Sequence, residues 1–138
     1  MADHNAFRKI MMRSAHGLLP FILLYGFFTS GIGARHAVNT YPKVGPHWFL
    51  TRNHFQSDIP FWKNFTENKI VVQVTHRTLA TLFLLMAIKG GIEVSKLKNL
   101  TPIARRSYYF FLAAVLLQVM IGVSAVWYPQ PICVANLH

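Results

Sequence analysis

Three apolar stretches, each near the length that crosses a bilayer, constrain this chain more than any other feature. A spanning helix needs about twenty largely apolar residues, and residues 15–38, 69–95 and 107–128 each supply such a run. Hydrocarbon offers a backbone no hydrogen-bonding partner, so a lipid-exposed segment of this kind satisfies itself by forming a helix. Composition agrees: 53% of the 138 residues are hydrophobic and 13% charged, where soluble domains carry about 25% charged. The expected fold class is an all-α membrane protein, one membrane domain over 1–138. Its parts are a basic segment 1–14, a membrane helix 15–38, an aromatic outer loop 39–68, a helix 69–95, a basic inner loop 96–106 and a helix 107–128. A fourth apolar run, 131–138, is too short to cross and reads as the truncated start of another helix.

The net charge of +10 does not point to nucleic acid. The basic residues lie at the edges of apolar spans rather than in a block or along one face, so no nucleic-acid partner is expected and membrane lipid is. Arg8, Lys9 and Arg13 fall on the same side of a three-span path as Lys96, Lys98, Arg105 and Arg106. The positive-inside rule assigns that side to the cytosol or the mitochondrial matrix. The opening residues contain no separate signal-peptide h-region. With Cys133 alone, an internal disulfide framework is excluded.

Local signals fill in the frame. Gly26, Ser30, Gly33 and Ala37 form a small-residue stripe of the kind that lets helices approach closely in lipid. The 39–68 loop mixes aromatics (Tyr41, Trp48, Phe49, Phe61, Trp62) with prolines, which suits the membrane–water interface, and has room for a short helix around Ile59–Asn64. His47 and His54, seven apart with no Cys or carboxylate at ligand spacing, read as solvated loop histidines. Asn64 followed by Glu67 resembles a helix cap with an acidic residue three later. Lys89 and Glu93 are spaced as a surface pair. Thr101 before Pro102 predicts a helix start. Gln118, polar at mid-depth, calls for an interhelical hydrogen bond.

His76 and Arg77 stand inside the second span, where an ionisable residue is a functional candidate by default. If the second and fourth helices begin near Ile70 and Pro131, His76 and His138 each lie about 9–10 Å inside. Two imidazoles at matched depth on facing helices meet the requirement for axial ligation of a membrane haem. Arg77 would reach a haem propionate; Gln73 and Gln118 are the accompanying cofactor-binding candidates. The plainer reading makes His76 a hydrogen-bonded packing residue. His16, at the opposite basic side, does not belong to the same metal.

These residues, taken together, resemble the second half of the heme A synthase family. Three blocks carry the resemblance in order: Asn39-Thr40-Tyr41-Pro42-Lys43-Val44-Gly45; Asn64-Phe65-Thr66-Glu67-Asn68 with Val72-Gln73-Val74-Thr75-His76-Arg77; and Pro131-Ile132-Cys133-Val134-Ala135-Asn136-Leu137-His138. Gln118-Val119-Met120-Ile121-Gly122 fits the intervening helix, and the match covers Arg13 to His138. The family has eight transmembrane helices in two similar four-helix halves related by a pseudo-twofold. The resemblance implies that His76 and His138 are the iron ligands of a haem b. It also implies an oxidoreductase that converts the C8 methyl of heme O to the formyl of heme A for cytochrome c oxidase. Implied partners are the heme O synthase that supplies the substrate, an electron donor such as ferredoxin, and a second copy of the chain. The implied location is the mitochondrial inner membrane or bacterial plasma membrane, and the 39–68 loop is most like the mitochondrial and proteobacterial type. No catalytic residue is assigned here, because the half that receives heme O is the other one; the fragment alone is expected to be inactive. Thr75 stands where the family often has Asp or Asn, and Gly33-Ala34-Arg35 where an Asp-Ala-Gly run is usual. The rival readings are a b-type electron-transfer cytochrome and a structural or assembly fragment that binds no haem.

Overall fold

A computed structural model describes residues 2–128. It contains α1 (Ala2–His16), α2 (Leu19–Gly31), the one-turn α3 (Asn64–Glu67), α4 (Lys69–Ser95) and α5 (Pro102–Trp127). Among the described residues the only β-pairing is an isolated bridge between Val44 and His47. Three helical stretches, Asp3–Gly31, Lys69–Ser95 and Pro102–Trp127, are long and apolar enough to cross a membrane. The chain is an all-α, multi-pass membrane protein. The expected start of a fourth helix at 131–138, with His138, lies outside the described residues.

The first span is placed earlier than 15–38. Residues 2–16, expected as a basic segment, are helical because α4 gives them a face to bury: Ile10 and Ser14 are both buried. Asp3 fixes the far end, its Oδ2 accepting from the Asn99 backbone N–H at 2.7 Å. Helix α2 ends at Gly31 although apolar residues continue to Val38. Gly33 takes the left-handed conformation (φ +64°) and its N–H turns back to Ser30 O at 3.3 Å. That is a glycine stop, available at no steric cost only to a residue without a Cβ. A 3-10 turn, Ala34–His36, follows.

Helix α4 is central: α1, α2 and α5 all pack against it. Thr101 caps α5 as expected, accepting from the Ala104 N–H at 3.4 Å, with Pro102 in the first turn. Near the Ser95 end, Tyr108 is buried with Ile10, Val94 and Leu100. Its hydroxyl bonds to Ser14 Oγ and Ala87 O, both at 3.0 Å. Gly90 makes that approach possible, since a Cβ there would stand 2.0 Å from the Tyr108 hydroxyl. Further along, Phe83, Ala87 and Val115 form a second cluster, joined by Leu18, Ile22 and Phe111. Glu93 pairs with Arg13 rather than with Lys89, because α1 lies alongside α4 and brings the guanidinium to it. Outward faces stay apolar and exposed, Phe27, Phe110 and Met120 among them.

The 39–68 loop is largely irregular. In place of a helix around Ile59–Asn64 it has a 3-10 turn, Phe61–Lys63, running into α3. Phe55, Phe61 and Phe65 cluster with ring centroids 5.5–6.2 Å apart, Phe55 and Phe61 stacked, while Phe49, Phe61 and Trp62 remain exposed.

Candidate functional site at the Lys69 end of the central helix

The site is built from a capped helix start and three polar side chains, Gln73, His76 and Arg77, in the second and third turns. The cap is Asn68, not Asn64. Asn68 Oδ1 accepts from the Ile70 and Val71 N–H groups at 3.1 and 3.4 Å, satisfying two donors that a helix start otherwise leaves open. Its Nδ2 donates to His54 O at 2.8 Å and Asn64 Oδ1 at 2.9 Å. Asn64 is fully buried and faces the loop, accepting from Gln56 N–H at 2.8 Å and donating to Gln56 O at 3.2 Å. The two asparagines tie three turns of the loop to α4. Glu67 forms only an exposed pair with Lys63 at 3.5 Å, an interaction of little energetic weight.

One turn further, Gln73 is buried and holds the segment that leaves α2. Its Oε1 accepts from the Val38 N–H at 3.0 Å and its Nε2 donates to Arg35 O at 2.7 Å. Arg77 grips the next stretch of the same connection. Its guanidinium donates to Thr40 O at 2.7 Å and Lys43 O at 2.9 Å and lies over the Tyr41 ring at 5.9 Å. Tyr41 in turn reaches Thr81, hydroxyl to hydroxyl at 3.3 Å.

Between these two latches sits His76. Its ring lies against α2 at Gly26, where an added Cβ would come within 3.3 Å of Cε1 and about as near to both ring nitrogens as 3.9 and 4.0 Å. Glycine at that position seats the imidazole against bare backbone, and Nδ1 is buried. Thus the α2–α4 contact holds the imidazole by shape.

The predicted site residues therefore separate. Gln73, His76 and Arg77 share one stretch of α4, but Gln73 and Arg77 bind backbone of the connection. Gln118 is exposed on α5, and the described residues offer it no interhelical hydrogen bond. Its stripe, with exposed Ala114, turns away from α4, whose contact is made instead through Tyr108, Phe111 and Val115. His138 lies outside the described residues. His47 and His54 meet edge to face, centroids 5.8 Å apart, with His54 Nδ1 engaged by Thr51. Asn68 and Tyr41 stand in the sequence reading as members of the family-like blocks, without a role at the site. An asparagine four residues after Asn64, immediately before an apolar run, was the available signal for the first.

The donor set tests which metal group would fit. The described residues contain no group of three or more His, Cys, Asp and Glu side chains, so a zinc- or calcium-type cage is not assembled among them. A single imidazole on an apolar helix face suits a porphyrin iron, whose ring nitrogens fill the equatorial positions and which asks the protein only for axial ligands.

The sequence model of the COX15-CtaA family, described as cytochrome oxidase assembly protein, matches residues 2–138. The chain belongs to this family. Among COX15-CtaA relatives, heme A synthase COX15 of Saccharomyces cerevisiae is 29% identical over 124 residues, covering 82% of this chain and 25% of the yeast protein. The heme A synthase of Wolbachia sp. subsp. Brugia malayi is 33% identical over 116 residues, 84% of this chain and 32% of that protein. That of Azorhizobium caulinodans is 27% identical over 130 residues, 94% of this chain and 36% of that protein. The chain spans about a quarter to a third of the length of these curated relatives. No solved structure gives a significant match. The family's description concerns cytochrome oxidase assembly, and these relatives are named heme A synthases.

Proposed function

We propose that this chain is the carboxy-terminal half of a heme A synthase, one four-helix unit of an eight-helix protein, and that it carries a haem b ligated by His76 and His138. The observation that carries the proposal is the seating of His76 on α4 against Gly26 of α2, inside a chain matched throughout by the family. In the complete enzyme the substrate is heme O and the product heme A, formed by oxidising the C8 methyl to a formyl group. A bound haem b supplies reversible one-electron chemistry. The protein's own residues do the positioning. His76 presents an imidazole whose tilt is limited by the α2 backbone at Gly26. Gln73, about one turn before His76, and Arg77, the residue after it, fix the α2–α4 connection by its backbone and so hold the two helices in register around that imidazole. Apolar residues of α2, α4 and α5 exclude water.

The relation of the basic Ser95 end to the membrane follows from the charge bias: Arg8, Lys9, Lys96, Lys98, Arg105 and Arg106 face the matrix or cytoplasm. The location is the mitochondrial inner membrane or its bacterial counterpart. A heme O synthase and an electron donor such as ferredoxin are the partners this reading requires, and a second copy of the protein is a further one.

The test is a reduced-minus-oxidised spectrum with pyridine haemochrome on the complete protein and its His76→Ala variant, alongside heme A formed from heme O. Loss of the b-type signal together with product is expected. An unchanged b-type spectrum would leave His76 a packing residue, and a haem signal without any heme A formation by the parent protein would make it an electron-transfer cytochrome.

A further inference from the structure

Arg77, expected from the sequence to reach a haem propionate, also borders a cleft on another face of α4. It lies about 12 Å along α4 from Lys69, within a span of 27 residues. A cation at that depth is costly unless a counter-charge or polar partners meet it. The whole chain has four acidic side chains: Asp3, Asp58, Glu67 and Glu93. None forms an ion pair with Arg77: Glu93 is taken by Arg13 and Glu67 by Lys63, and Asp3 binds the Asn99 N–H. The carbonyls of Thr40 and Lys43 use two of the guanidinium's donors; a guanidinium has five, and carbonyls do not cancel its charge.

That charge borders an open cleft of about 410 Å³ between the aromatic loop and α4. Tyr41, Trp48 and Phe49 form one wall, and Thr78 and Leu82 form the other. From its floor, exposed Leu82, Leu85 and Ile92 continue down α4 at helical spacing, with exposed Lys89 on the same face between the last two. This face is not the His76 stripe, whose members Phe83 and Ala87 are buried against Leu18 and Ile22 of the first span. His76 therefore stands on a different face of α4 from the cleft. An α4 of about 40 Å crosses a core of about 30 Å with about 5 Å of headgroup at each end, so the Arg77 backbone lies about 7 Å inside the core and its long stem reaches back toward the headgroup–acyl boundary. Aromatic rings gather at that level.

We propose that this cleft binds an anionic phospholipid, the phosphate paired with Arg77 and one acyl chain laid along Leu82, Leu85 and Ile92. The lipid supplies the counter-charge that the chain's own carboxylates do not, and it roofs the α2–α4 connection that Arg77 holds. The site is distinct from the haem reading and stands without it.

Native mass spectrometry of the complete protein in mild detergent, with phosphatidylglycerol or phosphatidylcholine added at equal concentration, tests this. Phosphatidylglycerol retention is expected to exceed phosphatidylcholine retention, and to fall about tenfold in Arg77→Gln, the scale of losing a charge-assisted bond. Because Arg77→Gln also releases Thr40 and Lys43, a second variant is needed. Thr78→Trp fills the cleft floor while leaving those bonds in place, and it should lower retention similarly. Equal retention of the two lipids, or retention unaffected by Thr78→Trp, overturns the proposal. So does a loss of haem in Thr78→Trp with lipid retention intact, which would assign the cleft to the cofactor.

Discussion

At the scale of single residues, Gln73 makes a sharp prediction because both ends of its amide are committed to backbone. Gln73→Leu keeps the volume but strands the Val38 N–H and the Arg35 carbonyl, and an unmet buried polar group costs about 1–3 kcal/mol. Thermal unfolding of the purified protein should drop, and proteolysis should accelerate within 34–50 before it does elsewhere. Gln73→Glu keeps the acceptor and loses the donor, so it should fall between Leu and the parent; a stability equal to the parent would remove the latch from the argument. Residues such as His76 and Arg77 were legible because an ionisable side chain stands out in an apolar run. What Gln73 and Arg77 hold was not. Their partners are carbonyls and an N–H more than thirty positions away, and a backbone group leaves no mark in a sequence. For the same reason the hydrogen bonds of Arg77 to Thr40 and Lys43 were not foreseen beside its expected propionate.

For whole elements, the spans were readable from apolar length alone, and α4 falls at the expected 69–95. Termini depended on single residues. The apolar run beyond α2 hid the stop at Gly33, and α1 took its helical state from a face of α4 that no local pattern announces. The contact that sets α4 against α5 and α1 is the Gly90–Tyr108–Ser14 meeting point. Gly90→Ala puts a methyl 2.0 Å from the Tyr108 hydroxyl, and overpacking of this kind costs about 1–3 kcal/mol. Tyr108→Phe removes the hydroxyl at the loss of two hydrogen bonds, so Gly90→Ala should cost less in that background. A double-mutant cycle on unfolding in detergent checks this, and strictly additive effects would mean that the clash relaxes without cost.

For the molecule as a whole, the prediction concerns sidedness. The connection at 96–101 and the aromatic loop lie at opposite ends of α4. In a Cys133→Ser background, Lys98→Cys and Phe49→Cys should react with an impermeant maleimide from opposite faces of the membrane, Phe49→Cys from the outside. Labelling of both from one side would break the three-span path. The faces carrying Phe27, Phe110 and Met120 are exposed here, and which of them meet lipid and which meet the rest of a longer protein was not written in the residues themselves. One consequence of the latches concerns variation. Because Gln73 and Arg77 read main-chain atoms, the side chains at Arg35, Val38 and Lys43 are not what they recognise. A saturation-mutagenesis library scored for folded protein should therefore come back lopsided: permissive at those three loop positions, and nearly intolerant at the two helix positions that grasp them.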